Sequence, residues 1–240
     1  MIKWLLASAL LLATLTGCGS TPPAATALRL DAALVTPVDV TLTWHDNGPT
    51  AAGHVVEYAT NPDGPFTVLG FLGPAQTSYQ HQNLMPHTTF YYRVRPYYGP
   101  TSNTIDVTLP PGAYDDQAHA DDQSWAPPRS EPGRNRATQS IRRPATANSG
   151  APTDLSATVM DNNGIRLTWV DHAKDADGYL MELKASGDKD FQAVQVMDPD
   201  INSCGVATLP TEKAAAYKVR AFYYGGPSGI AEETTGESSA

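Results

Sequence analysis

Two runs of five residues, Val40-Thr41-Leu42-Thr43-Trp44 and Ile165-Arg166-Leu167-Thr168-Trp169, alternate apolar and polar side chains and close on tryptophan. Successive side chains of a strand point to opposite faces, so each run reads as a half-buried strand. Val40, Leu42 and Trp44 share one inward row, and Ile165, Leu167 and Trp169 the other. After each run a polar loop leads to a second extended stretch, Gly53-His54-Val55-Val56-Glu57-Tyr58 and Gly178-Tyr179-Leu180-Met181-Glu182-Leu183. Further on, Phe90 to Pro96 is matched by Ala215 to Ala221, with Tyr92 and Val94 corresponding to Tyr217 and Val219 and Arg or Lys on the outer face. Turn signals such as Asn163-Gly164 and Asn61-Pro62-Asp63-Gly64 separate the runs, and no useful length carries helical periodicity. Seven short strands in about 90 residues predict an antiparallel sandwich, and the pattern occurs twice.

Both units resemble fibronectin type III domains. The resemblance rests on Trp44 and Trp169 as strand B core tryptophans, Leu84-x-Pro86 and Leu209-Pro210 before strand F, the Tyr-x-Val rows, and Pro152-x-x-Leu155-x-Ala157 opening the second unit. It is a packing pattern rather than a chemical one. It implies an all-β chain of two tandem immunoglobulin-like sandwiches joined by a disordered linker. Phe90 and Ala215 stand where the family places its corner tyrosine, which implies lower stability there or a different cap. The first unit also opens weakly, with Thr26 to Ala33 carrying strand A without the usual proline.

The expected organisation is a signal peptide over 1–17, a tether over 18–26, one sandwich over 27–109, a flexible linker over 110–150, a second sandwich over 151–235 and a tail over 236–240. The linker assignment follows from composition. Apart from Ile141 the stretch has hardly any aliphatic residues, too few to offset its ordering entropy. Asp115, Asp116, Asp121 and Asp122 come first in it and Arg129, Arg134, Arg136, Arg142 and Arg143 follow, so the two halves can attract each other. A coil of that length spans on the order of 35 Å, and the units are expected to be independent in orientation.

The N-terminus carries a basic start at Lys3, an apolar run from Trp4 to Leu15 and then Thr16-Gly17-Cys18-Gly19, the order of an export signal. The run falls well short of the roughly 20 residues a spanning helix needs. Leu15-Thr16-Gly17-Cys18 resembles the lipobox of bacterial lipoproteins. That resemblance implies cleavage before Cys18, lipidation of its thiol, and acyl chains (palmitate among them) that together hold the chain at a membrane. Gly19, where an Asp signals inner-membrane retention in that family, favours the outer membrane if the host has one. The expected location is the cell envelope.

With Cys18 committed to lipid, Cys204 is the remaining thiol, so no intramolecular disulfide is expected. Removal of Lys3 with the signal moves the formal charge from -9 to -10, against nucleic acid or a polybasic grip on lipid. From Gly19 to Leu109 six acids face three bases, and from Ala151 onward fourteen face seven, so the membrane-distal unit is the more acidic.

No segment announces a nucleophile, base and orienting group together, and none resembles a nucleophile elbow, zinc helix, phosphate loop or dinucleotide turn. The histidines His45, His54, His81, His87, His119 and His172 lack paired ligand spacing. Asp171 to Gly178 fails as a calcium loop, because Lys184 falls where the bidentate Glu belongs, and reads as a solvated loop. Cys204 reads as a small buried hydrophobe in strand E. No catalytic residue, metal site or cofactor is assigned. The binding candidates are aromatic: strand F ends in Tyr97 and Tyr98 in the first unit and in Phe222, Tyr223 and Tyr224 in the second. Tyrosine suits stacking on sugar rings or anchoring a protein, although such rings also cover strand ends. Trp125 reads as an isolated exposed aromatic.

The expected function is that of a non-enzymatic lipoprotein serving as a binding or spacer module, with an envelope protein or a polysaccharide as partner. The rival expectation is an accessory working with a separate polysaccharide-degrading enzyme.

Overall fold

The computed structural model describes residues 28–112 and 124–237. The first copy of the repeat contributes β1 (Leu28–Thr36), β2 (Asp39–Asp46), β3 (Gly53–Ala59), β4 (Thr67–Leu72), β5 (Ser78–His81), β6 (Thr89–Tyr98) and β7 (Ile105–Thr108). The stretch between copies contributes β8 (Asn135–Gln139). The second copy contributes β9 (Thr153–Val159), β10 (Gly164–Ala173), β11 (Gly178–Ala185), β12 (Gln192–Met197), β13 (Ser203–Ala207), β14 (Ala214–Tyr224) and β15 (Ala231–Thr234).

The two alternating runs lie on β2 and β10, each central in an antiparallel sheet, β1-β2-β5 in one copy and β9-β10-β13 in the other. Their apolar rows are buried as the period of two requires. Val40, Leu42 and Trp44 pack with Val56, Tyr92 and Val94, while Ile165, Leu167 and Trp169 pack with Tyr179, Met181, Tyr217 and Val219. The chain is all-β and forms two fibronectin type III-like sandwiches.

The last strand of each copy completes the other copy's sheet. β7 pairs with β14, with Ile105 opposite Tyr217 and Thr108 opposite Ala214. β15 pairs with β6, with Ala231 opposite Tyr92 and Thr234 opposite Thr89. The hairpin that would fold β7 back onto β6 is opened, and the chain runs straight on through Gly99-Pro100 along β14. At the crossing Tyr98 pairs with Tyr223 and Tyr97 with Tyr224, which joins both copies in one sheet, β12-β11-β14-β6-β3-β4. Gly99 is required there: its φ is +132°, and a Cβ would lie 2.0 Å from the Ala221 carbonyl oxygen. The boundaries 27–109 and 151–235 therefore cut across the fold, and the expectation of independent units is corrected. Strand pattern reveals that Ile105 and Val107 face a core; it does not reveal whose.

The stretch expected as a disordered linker is corrected from Ser124 onward. Trp125 is 9% exposed, and its ring lies against Gly164 and Gly205, where a Cβ on either would come within 2.7 Å of it. Ile141 is buried in the second core. Between these anchors β8 runs parallel to the end of β10, with Asn135 opposite Asp171. Arg129 and Arg166 share Glu131, and Arg142 pairs with Asp177. Two apolar side chains and a set of ion pairs hold a stretch whose composition alone predicts a coil. Asp115, Asp116, His119, Asp121 and Asp122 lie outside the described residues.

The loop Asp171 to Gly178 is likewise not simply solvated. Asp171 is buried and accepts hydrogen bonds from Tyr179 Oη and the Ala173 N–H, while Asp175 accepts from Ser140 Oγ and the Ile141 N–H. At the corner positions, Phe90 stacks on Tyr92 at 6.4 Å, and Ala215 lies opposite Val107.

Candidate functional site

The five strand F aromatics come together where the copies cross. Tyr98 and Tyr223 stack with ring centroids 5.5 Å apart. Tyr97 and Phe222 are 3% and 1% exposed and form a third core with Val55 and Leu180 on the outer face of the shared sheet. Phe71 meets Tyr97 at 5.5 Å and Phe222 at 5.3 Å, and Phe222 meets Tyr224 at 5.2 Å. Burial pushes the Tyr97 hydroxyl up to about 12, and the hydroxyl donates to the Leu72 carbonyl oxygen at 3.4 Å. Burial raises Tyr98 and Tyr224 as well. Phe222 is enclosed by Phe71, Tyr97 and Tyr224 and has no face left for a ligand, which corrects its expected binding role, whereas Tyr97, though largely buried, lines the cleft between the copies. Alternation places Tyr97 on the outer face, but here the outer face is covered by the other copy.

Around this junction the copies repeat one ionic arrangement at a spacing of 125 residues, as in Glu57 and Glu182 or Arg93 and Lys218. Arg93 Nε donates to Glu57 at 2.6 Å and lies over Phe66, 4.1 Å from its centroid. Lys218 pairs with Glu182 at 3.0 Å and lies over Phe191 at the same 4.1 Å. Arg95 reaches the Gly225 carbonyl oxygen at 3.5 Å, and Arg220 reaches that of Gly99 at 2.6 Å. The same correspondence links Asp46–His54, 3.0 Å apart, with Asp171–Tyr179.

Beside the second arrangement the surface opens into a cleft of about 510 Å³. Lys184, Lys189, Phe191, Lys218 and Arg220 line one side, and the turn from Gly73 to Gln76 of the first copy closes the other. Such a cleft can hold an anion and a ring face together; it contains no nucleophile paired with a base. Sequence reasoning missed it. The available signal is that alternation turns Lys218 and Arg220 outward from β14, one strand away from Lys184.

Of the remaining sequence-derived positions, Cys18 lies outside the described residues. Cys204 is buried opposite Leu167, and burial pushes its thiol up to about 12. Among the described residues no group of three or more His, Cys, Asp or Glu is placed to hold a metal.

The strands and their junction define an all-β protein of two fibronectin type III-like sandwiches fused through exchanged edge strands. No family model matches the sequence, and no curated protein matches it. Among solved structures the chain is similar to an Fn3-like protein from Clostridium thermocellum at 26% identity, covering 28% of this chain and 69% of that one with a TM-score of 0.26. It is also similar to a two-domain fibronectin type III segment from chicken tenascin at 12% identity, covering 87% of this chain and 97% of that one with a TM-score of 0.27. Likenesses at this level carry no functional argument, and the sandwich architecture stands on the chain's own strand pairings.

Proposed function

We propose that the chain is a non-enzymatic lipoprotein of the cell envelope, anchored through lipid on Cys18, whose fused body presents a recognition surface at a fixed geometry above the membrane. The observation that carries this reading is the exchange of β7 and β15, which turns two sandwiches into one body. A body with exchanged edges and a common sheet resists bending between its halves, as a spacer or a recognition platform must. The exchange also satisfies strand edges that otherwise invite pairing with other chains. The partner is an envelope protein or a polysaccharide.

The anchoring is tested by membrane fractionation of wild type and Cys18→Ala. The variant is expected in the soluble fraction or as an unprocessed precursor; unchanged lipidated membrane protein would refute the anchor. Recognition is tested by capture from envelope extract and on a polysaccharide panel.

A further inference from the structure

The copies place Arg95 and Arg220 at equivalent positions on the outer face of the shared sheet, and among the described residues a ring is stacked on Arg95 alone. In the first copy the ring of Tyr224 lies over the Arg95 guanidinium, 4.3 Å from centroid to Cζ. Tyr224 has no counterpart in the first copy: Tyr98 and Tyr223 are 125 residues apart, whereas Gly99 and Gly225 are 126 apart, so strand F of the second copy holds one extra residue. Among the described residues none has its ring stacked on Arg220, and Gly99 cannot be replaced by a larger residue, since a Cβ there meets the Ala221 carbonyl oxygen at 2.0 Å.

The space beside Arg220 is the cleft between the copies. Its lining includes Lys184, Lys189, Lys218 and Arg220 against Glu182 and Asp190, four positive charges to two negative. The chain as a whole carries -9, so this is a cationic recess in an acidic protein and attracts anions locally. Arg220 is held by two hydrogen bonds to Glu182, at 2.7 and 3.3 Å, and one to Gly99, at 2.6 Å. Its plane is therefore fixed before any ligand arrives. Lys184 stands 5.2 Å from Phe191 on the same side.

We propose that this cleft binds a ring-bearing carboxylate, with the ring lying against the Arg220 plane and the carboxylate meeting Lys184 and Lys189; an aromatic ring adds the cation–π attraction that Tyr224 gives Arg95, and a saturated sugar ring contributes packing alone. Uronic acid units of acidic polysaccharides and small aromatic acids both carry a ring and a carboxylate. The inference does not depend on lipid anchoring, so its failure leaves the Cys18 reading intact.

The test is calorimetric titration of the full chain in detergent with tri-galacturonate, its methyl ester and benzoate. Tri-galacturonate is expected to bind and the ester not, with binding weakening as salt rises. Affinity should fall on the order of tenfold or more in a Lys184→Gln, Lys189→Gln variant, which loses two charge-assisted contacts. Lys189 is exposed and Lys184 half-buried beside Phe191, and an unchanged melting temperature establishes that the variant is folded. Binding of tri-galacturonate assigns the site to polysaccharide; binding of benzoate alone assigns the same chemistry to a small acid. Binding of neither acid, equal binding of the ester, or unchanged affinity in the folded variant would overturn the proposal.

Discussion

Ser102 and Ser228 perform the same task at opposite ends of the junction: Ser102 Oγ accepts the Val219 N–H at 3.0 Å, and Ser228 Oγ accepts the Val94 N–H at 3.0 Å. Each serine thus sits just beyond one copy's strand F and satisfies an amide in the other copy. Their backbones reciprocate, since the Ser102 N–H donates to Val219 O and the Ser228 N–H to Val94 O, both at 2.8 Å.

Ser102→Ala and Ser228→Ala each leave one strand amide of the opposite copy without its acceptor. The expected loss is about 1–2 kcal/mol apiece, similar for both, measured by urea unfolding. A large loss for one and none for the other would contradict the reciprocal arrangement.

Trp169→Ala empties the centre of the second core and is expected to cost about 3–5 kcal/mol. In independent units the first would be untouched. Here β14 holds β7 and is joined to β6, so near-ultraviolet circular dichroism and calorimetry should report one lowered transition for the whole chain. A second transition at the wild-type temperature would show that the halves are uncoupled.

Asp175 gives the packed stretch a pH dependence. Burial raises this carboxyl, but Ser140 Oγ at 2.5 Å, the Ile141 N–H at 2.8 Å and Arg142 outweigh it and hold the group below the usual carboxylate range. A folded value below the unfolded one, about 3.9, means its stabilisation is present above that pH and disappears as pH falls through the folded value. The Ile141 amide resonance should titrate with a midpoint below about 3.9 and lose that titration in Asp175→Asn. A higher midpoint would contradict the assignment.

Cys204 should resist maleimide in the native protein, because its thiol is buried and pushed up to about 12, and react once denaturant unfolds the second core. Rapid native labelling, followed by mass spectrometry, would contradict the packing around β13.

The sequence legibly encodes whatever depends on near neighbours. Val40 to Trp44 and Ile165 to Trp169 alternate whatever surrounds them, so strands, inward faces and two sandwiches could be read directly. Partner choice could not. Ile105 and Val107 show the same alternation beside β6 or β14, and the opened turn at Gly99-Pro100 contains the residues that a hairpin would also use. Trp125 and Ile141 are two apolar anchors in a polar stretch, and their value depends on Gly164, Gly205 and Asp175, which are distant in sequence. Tyr97 and Phe222 were recognisable as aromatic strand ends, but the crossing buries them. Lys184, Lys189 and Arg220 converge only because the copies share a sheet.

The exchange of edge strands is tested most directly by cysteine cross-linking. Thr89 Oγ1 and Thr234 Oγ1 lie 2.8 Å apart across β6 and β15, which permits a disulfide between cysteines at these positions. Under mild oxidation a Thr89→Cys, Thr234→Cys chain should close within one molecule, running as a compact monomer on a denaturing gel, while a Thr89→Cys, Thr108→Cys chain should stay open. Closure of the second pair and not the first would show each final strand folded back on its own copy, and would contradict the fused architecture.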